Sequence, residues 1–320
     1  MPDKFSDMAF TAFQNMRPFQ QLMFSLFVIL VSFLVFMVIS VLVAIPFIGF
    51  ESIMNITTVN GMTDPETIKM LKYFQVVQSF GLFIVPPIIL GWLFYGKISE
   101  YLFLNKSFNL ATVLLVFLLM FFAAPFINFI GELNANMTFP NWLSGVEQWM
   151  KNAEENAEVL TKAFLKVDTA GGLLFNIFMI AMLPAIGEEL LFRGVIQRIF
   201  TSWTRSNNWG IWISAILFSA LHMQFYGFIP RMLLGVLFGY LLVWSSSMWL
   251  PIIAHFLNNA IAVIGIFLVD KNIVKPEIEE IGSTSGSYYM AVISLALIVV
   301  FMLMIKRQSE GNDLNVGINK

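Results

Sequence analysis

The stretch that decides the fold is GGLLFNIFMIAMLPAIGEELLFR, residues 171–193, in which a run of membrane character meets two glutamates and an arginine. No charge occurs from Gly171 to Gly187, and a second apolar run, WGIWISAILFSALHMQF, follows from Trp209. Ionisable side chains at membrane depth are costly and by default mark function. The stretch therefore predicts a spanning helix with candidate functional residues, the two glutamates and the arginine, at its end.

The composition extends this prediction to the whole chain. Of the 320 residues, 58% are hydrophobic and 12% are charged, whereas a soluble domain has about 45–50% apolar and about 25% charged residues. The mean hydropathy is +0.79. The chain has no run of basic residues that would indicate a nucleic-acid partner. The absence of cysteine excludes disulfides, thiolate metal sites and a cysteine nucleophile.

About eight transmembrane helices are predicted, because a spanning helix needs about 20 apolar residues. The run from Met232 to Val269 is too long for one helix, and SSSMWLP, residues 245–251, divides it at a proline. The other apolar runs occupy residues 22–46, 73–95, 108–131, 171–187, 209–230 and 287–305.

The predicted fold class is all-α, a polytopic membrane protein with an additional extramembrane amphipathic helix at about residues 141–166. Apolar residues recur there at helical spacing from Trp142 to Phe164. We interpret this helix as a packed surface helix or a substrate lid. Three regions follow: residues 1–170 with three spans and the surface helix, residues 171–268 as a core, and residues 269–320 with the last span and a polar tail.

The distribution of basic residues predicts the orientation. Ten of the 18 Lys and Arg residues fall on the side of the N-terminus when eight spans are counted. The positive-inside rule then places both termini in the cytoplasm. We expect an integral protein of the cell (inner) membrane.

The charges in residues 187–193 divide by helical geometry. Glu189 and Arg193 are four residues apart with the acid first, which is the favourable order for an ion pair on one helix face. Glu188 is rotated by about 100° from Glu189 and has no basic partner on its helix. We therefore expect Glu189 and Arg193 to be a supporting pair and Glu188 to carry the chemistry.

Both histidines of the chain fall in predicted spans. Phe218 and His222 are four residues apart in FSALH, so that the phenyl ring is predicted to pack on the imidazole. His255 and Asn259 share a helix face in HFLNN, from which Asn258 is expected to point away. No aspartate occurs within a predicted span, which excludes a two-aspartate intramembrane protease.

A cavity lined by Glu188, His222, His255 and Asn259 suits peptide hydrolysis. Glu188 and His222 would activate a water molecule, and His255 and Asn259 would donate hydrogen bonds to the oxyanion. A cofactor is not favoured. The alternative is one divalent metal, such as zinc, on His222, His255 and Glu188. Two other functions stay open, a catalytically silent membrane scaffold and a proton-coupled transporter.

Three motifs in order resemble one family. EELLFR fits EExxxR, FSALH fits FxxxH, and HFLNN fits HxxxN, all between Leu173 and Ile264. The chain resembles the CPBP (CAAX protease and bacteriocin-processing, Abi) intramembrane endopeptidases, which include the type II CAAX prenyl proteases. The resemblance implies a fold of eight membrane helices. It also implies that Glu188 and His222 activate a water molecule and that His255 and Asn259 bind the oxyanion. The partners would be the lipid bilayer and a membrane-protein or lipidated peptide substrate.

Overall fold

The computed structural model describes residues 13–50, 53, 64–106, 108–278 and 280–318, with side chains up to residue 309. Every regular element in these ranges is helical. The main helices are α1 (Pro18–Ile48), α2 (Pro65–Tyr95), α3 (Leu110–Ala135), α4 (Ser144–Leu165), α5 (Ala170–Thr204), α6 (Asn207–Ala220), α7 (Phe228–Ser245), α8 (Trp249–Asp270) and α9 (Tyr288–Ile318). The fold class is thus confirmed as an all-α polytopic membrane protein.

Seven of these helices are long and apolar enough to cross a membrane, which is one fewer than predicted. In place of the predicted span at residues 209–230, the structure has the 14-residue helix α6, which begins at Asn207 and ends at Ala220. Its length of about 21 Å falls short of a hydrocarbon core of about 30 Å. The chain leaves the helix after Ala220 for a turn, in which the backbone N–H groups of His222 and Met223 donate to the carbonyls of Ser219 and Ala220.

Helix α6 nevertheless runs antiparallel to α7 along most of its length. At its start, the Oδ1 of Asn208 accepts a hydrogen bond of 3.0 Å from the hydroxyl of Tyr240, near the end of α7. At its end, the hydroxyl of Ser219 donates to the carbonyl of Phe228, the first residue of α7. The path of the chain therefore reverses at α6 as it would at a full span.

The segment that contains GEELLFR lies inside α5, not at the edge of a span as the sequence suggested. Helix α5 spans 35 residues and contains two π-helical segments, Ile177–Met182 and Phe192–Ile196. The α-helical turns between them, Leu183–Leu191, hold both glutamates. The charges were expected to end an apolar span, but Glu189 is paired within the protein with Arg193 and His255, and the helix continues.

A close helix contact explains the glycine of this motif. A Cβ atom on Gly187 would lie 2.7 Å from the Cβ atom of Phe83, which belongs to a π-helical segment of α2, Phe80–Ile84. Helices α2 and α5 therefore approach more closely than a larger residue would permit. This contact brings Glu188, the next residue, against neighbouring helices.

The predicted amphipathic helix is present as α4 and is preceded by a 3-10 turn, Asn141–Leu143. Its end is anchored to α5, because the side-chain amide of Asn176 donates to the carbonyls of Phe164 and Leu165. Lys72 of α2 donates to the Oδ1 of Asn176 over 2.9 Å. Helix α4 is thus packed onto the spans, and its second half faces the cavity described next.

Candidate active site

A cavity of about 530 Å³ lies between α2, α4, α5, α6, α7 and α8. This volume is within the usual range of ligand pockets, about 300–1,000 Å³. The four residues predicted to carry the chemistry all line it, namely Glu188, His222, His255 and Asn259. The structure therefore brings together side chains from α5, from the turn after α6 and from α8.

Glu189 lies behind the cavity at the centre of a buried network. Its Oε1 atom is 2.9 Å from the Nη1 of Arg193 and 2.8 Å from the Nδ1 of His255. Glu189 and Arg193 are both almost fully buried. The predicted pairing of the two residues is present, and the same carboxylate also holds the imidazole of His255.

Aromatic rings enclose the charged groups of this network. The guanidinium carbon of Arg193 lies 4.7 Å from the ring centre of Phe218 and 5.5 Å from that of Phe238. The ring of Phe238 stacks on His255 with a centroid distance of 5.3 Å. Cation–π contacts of this kind stabilise a desolvated arginine by about 2 kcal/mol or more. The orientation of His255 is thus fixed by one hydrogen bond and by stacking.

Glu188 points into the cavity and lacks a basic partner on its own helix. Its Oε2 atom is 3.9 Å from the Nε2 of His255, and its side chain is 12% exposed. This separation exceeds a hydrogen bond. Glu188 and His255 therefore face a common space within the cavity.

His222 takes its orientation from the end of α6. Its Nδ1 atom lies 2.8 Å from the carbonyl oxygen of Phe218. Since a carbonyl only accepts, Nδ1 carries the hydrogen, and the Nε2 of the neutral ring has a lone pair. The ring of Phe218 meets His222 at 71°, edge to face, with centroids 5.0 Å apart. The predicted packing of these two rings is present.

Asn259 is held by two amide contacts. Its Nδ2 donates to the carbonyl of Ile180 over 3.2 Å, and its Oδ1 accepts from the Nδ2 of Asn258 over 3.1 Å. Ile180 lies in the first π-helical segment of α5. The expectation that Asn258 points away was wrong, because Asn258 also lines the cavity. One N–H of the Asn259 amide remains for a ligand.

The possible metal ligands of the cavity are separate from one another. Among the described residues, no group of three His, Asp or Glu side chains is arranged to hold a metal ion. Each histidine uses Nδ1 for an internal contact, with Phe218 or with Glu189. Such contacts leave both Nε2 atoms available, but His222, His255 and Glu188 do not form a ligand cluster in this arrangement.

The cavity contains residues for which the motifs gave no signal. Arg231 lines it, and the second half of α4 contributes Leu160, Thr161 and Phe164. The helical spacing of α4 predicted an apolar face but not what that face covers. Arg231 follows the turn after α6, and only the packing of α7 shows that it faces Glu188 across one space.

The fold and the cavity define a polytopic membrane protein with a polar site among its spanning helices. Residues 170–261 match the family model described as type II CAAX prenyl endopeptidase Rce1-like. This segment contains all three motifs. The resemblance predicted from the motifs is thereby confirmed for this part of the chain.

A relative from a bacterium aligns over part of the chain. Over 90 residues the chain is 30% identical to the uncharacterized protein YpbD of Bacillus subtilis (strain 168). The aligned stretch is 27% of this chain and 43% of the relative, so that it spans less than half of the relative's length. No solved structure matches the chain.

Proposed function

We propose that the protein is an intramembrane endopeptidase that hydrolyses a peptide bond in a membrane-embedded or lipidated substrate. The observation that carries this proposal is the convergence of Glu188, His222, His255 and Asn259 on one cavity. The match of residues 170–261 to an endopeptidase family supports it. The proposal covers the activity, the type of substrate and the roles of the four residues.

The first step is the activation of water by Glu188. The carboxylate takes a proton from a water molecule while the oxygen attacks the carbonyl carbon of the peptide. The Nε2 lone pair of His222 accepts the second hydrogen bond of this water, a role that suits the tautomer set by Phe218. Glu188 then delivers the proton to the amide nitrogen as the C–N bond breaks.

The second part of the mechanism is stabilisation of the oxyanion by His255 and Asn259. To donate from Nε2, His255 must carry hydrogens on both ring nitrogens, because Nδ1 already donates to Glu189. The net charge of the site is then zero, because two carboxylates (Glu188 and Glu189) face two cations (Arg193 and this imidazolium). A net charge of zero suits a site within a membrane. The remaining N–H of Asn259 completes the pair of donors.

The experiment that tests the activity compares wild type with Glu188→Gln. Peptides from membranes that contain each variant are identified by mass spectrometry. We expect products that depend on Glu188, with cleavage lowered by about 10²–10⁴-fold in the variant, the usual contribution of a general base. Glu66→Gln, an exposed residue at the start of α2, serves as the matched control. Equal cleavage by Glu188→Gln would falsify the proposal.

We further propose that the reaction proceeds without a metal, since the residues of the cavity suffice for both steps. Purified protein in detergent should keep its activity on a fixed peptide after treatment with a strong chelator. Loss of activity that zinc restores would instead favour the arrangement on His222, His255 and Glu188.

For the location we propose the cell membrane with both termini in the cytoplasm. Because the chain has no cysteine, single cysteines can be placed at Gln14, Trp142 and Arg307 and labelled in intact cells with an impermeant maleimide. Labelling of the Trp142 site alone is expected. Labelling of both terminal sites but not of Trp142 would reverse the orientation, and labelling of one terminal site alone would place the termini on opposite sides of the membrane.

A further inference from the structure

The cavity contains an arginine that the proposed mechanism does not use. Arg231 lies in the first turns of α7 and is half-buried. It lines the same cavity as Glu188. Removing a guanidinium from water is costly, so that a compensating interaction is expected at this position.

The charges of Glu154 and Glu188 act on Arg231, but neither carboxylate lies within ion-pair distance of its guanidinium. Its Nη2 donates to the side-chain oxygen of Gln224 over 2.6 Å, and its Nη1 lies 3.4 Å from the Gln224 carbonyl. Both acceptors are neutral. None of the ion pairs formed by the described residues includes Arg231, whereas the buried Arg193 has Glu189. Gln224 therefore orients Arg231 but does not neutralise it.

Helix α7 does not account for the position of Arg231 either. A cation in the first turns of a helix is opposed by the helix dipole, whose positive end lies there. Two positive features thus converge on one side of the cavity. Next to the guanidinium, a Cβ atom on Gly227 would lie 3.3 Å from Nη2, so the glycine keeps this side open. Such an arrangement suits an anion.

We propose that Arg231 binds a carboxylate of the peptide substrate and thereby positions the scissile bond at Glu188. The planar guanidinium presents two parallel N–H groups that match a carboxylate. The carboxylate belongs either to the C-terminus of the substrate or to an Asp or Glu side chain. This inference rests on the proposed function, since it assigns a substrate feature to the same cavity.

The test uses the substrate peptide found by comparing wild type with Glu188→Gln. The peptide is synthesised with a free C-terminus, with a C-terminal amide, and with each Asp or Glu replaced by Asn or Gln. Wild type should cleave the charged peptide with a kcat/KM about 10- to 100-fold above that of one neutral analogue, as expected for a charge-assisted hydrogen bond. The analogue that loses activity identifies the source of the carboxylate.

The variants assign this preference to Arg231. With Arg231→Gln, the KM for the charged peptide should rise to the KM that wild type has for the neutral analogue. The KM for the neutral analogue should be the same with the variant as with wild type. Arg231→Lys should keep part of the preference, since it keeps the charge but loses the fork. The control is Arg205→Gln, an exposed arginine at the end of α5, which should keep the full preference.

Two results would overturn the inference. One is a wild type that cleaves charged and neutral peptides alike, which needs no variant and holds even where Arg231→Gln fails to fold. The other is an Arg231→Gln protein that loses activity equally on all peptides. Failure of the proposed function is distinct, since it shows as cleavage by Glu188→Gln, whatever Arg231 contributes.

Discussion

Helices α1 and α5 are both apolar segments of more than 30 residues, but the side chains that they bury differ in size and charge. In its most apolar window, α1 is 11% buried within the protein, against 33% for α5. The buried positions of α1 are Ser25, Ser32, Ser40 and Ala44. Many of its large side chains, such as Phe27 and Leu42, are exposed, which suits lipid contact.

Helix α5 buries charge and amide groups in an unbroken row. Glu189, Arg193 and Gln197 are four residues apart in turn and are all buried. The Nη2 of Arg193 donates to the carbonyl of Gly235, and the Nε2 of Gln197 donates to that of Gly239. The two glycines are also four residues apart, so the row pairs with a row of small residues on α7. Hydropathy alone does not separate a lipid-facing helix from one that builds a polar site.

The largest effect is expected from removing the arginine of this row. Arg193→Met leaves the buried Glu189 without its guanidinium partner and should lower the free energy of unfolding by about 3–5 kcal/mol. The thermal unfolding midpoint of the purified protein in detergent measures this loss. The variant should also lower activity, because Glu189 holds His255.

A double variant separates the lost charge from the lost volume. Glu189→Leu with Arg193→Met removes both charges, and replacing a buried pair by apolar groups is often neutral. The double variant should therefore be more stable than Arg193→Met while remaining inactive. If the double variant is the less stable of the two, the pair stabilises the fold in its own right.

The second effect concerns the small residues opposite the row. Gly239→Ala places a Cβ atom 2.8 Å from the Cγ2 of Ile211 and 2.9 Å from the Oε1 of Gln197. Overpacking of this kind costs about 1–3 kcal/mol, which a lower unfolding midpoint would show. Gly265→Ala in α8 is the matched control, since no heavy atom outside the local helix lies within 4 Å of its Cβ position. An equal response of the two variants would refute the close contact.

The sequence was sufficient to predict the helical membrane fold, the amphipathic helix and the pairing of Glu189 with Arg193. These features follow from local periodicity, which one segment contains by itself. The short length of α6 and the continuation of α5 beyond Gly187 were not predictable, because both involve contacts with other helices, such as that of Ser219 with Phe228 of α7 and that of Glu189 with His255 of α8. Apolar runs show where lipid is tolerated, not where a helix ends.

Within the site, residue types predicted the members but not all their contacts. The spacing of His255 and Asn259 placed both on one face, as the structure has them. The contact of His255 with Glu189 joins residues 66 positions apart, and Asn259 bonds a carbonyl within a π-helical segment. No local pattern encodes either contact. The roles of Glu188, His222, His255 and Asn259 stay predictions until the variants are measured.

The third prediction compares two buried serines, Ser214 in α6, which packs against α5, and Ser32 in α1. The hydroxyl of Ser214 in α6 donates to the carbonyl of Phe192 in α5 over 3.0 Å. Ser214→Ala should cost about 0.5–1.5 kcal/mol. In α1 the buried hydroxyl of Ser32 has no hydrogen-bond partner among the described residues, so Ser32→Ala should leave the unfolding midpoint unchanged or raise it. The opposite order of the two variants would contradict the distinction between the helices.

The smallest effect is expected from an exposed ion pair outside the spanning helices, which contrasts with the buried pair of Glu189 and Arg193. The Nζ of Lys271, just after α8, lies 2.8 Å from the Oδ1 of Asp168, just before α5. The hydrogen bond and charge of Lys271 hold the pKa of Asp168 below its ordinary value. Because the folded-state pKa is lowered, any stabilisation is present above the unfolded pKa, about 3.9, and is lost as the pH falls through the folded value.

This sign fixes what Lys271→Ala should do. Above about pH 5 its unfolding midpoint should lie slightly below that of wild type, since exposed pairs contribute little and are screened by salt. The difference should shrink as the pH is lowered through the range in which Asp168 takes up a proton. The midpoints of both proteins from pH 6 to pH 3, at low and high salt, measure it. A difference that grows at low pH would show that Lys271 acts through another contact, such as the ring of Phe267, 5.8 Å from its Nζ.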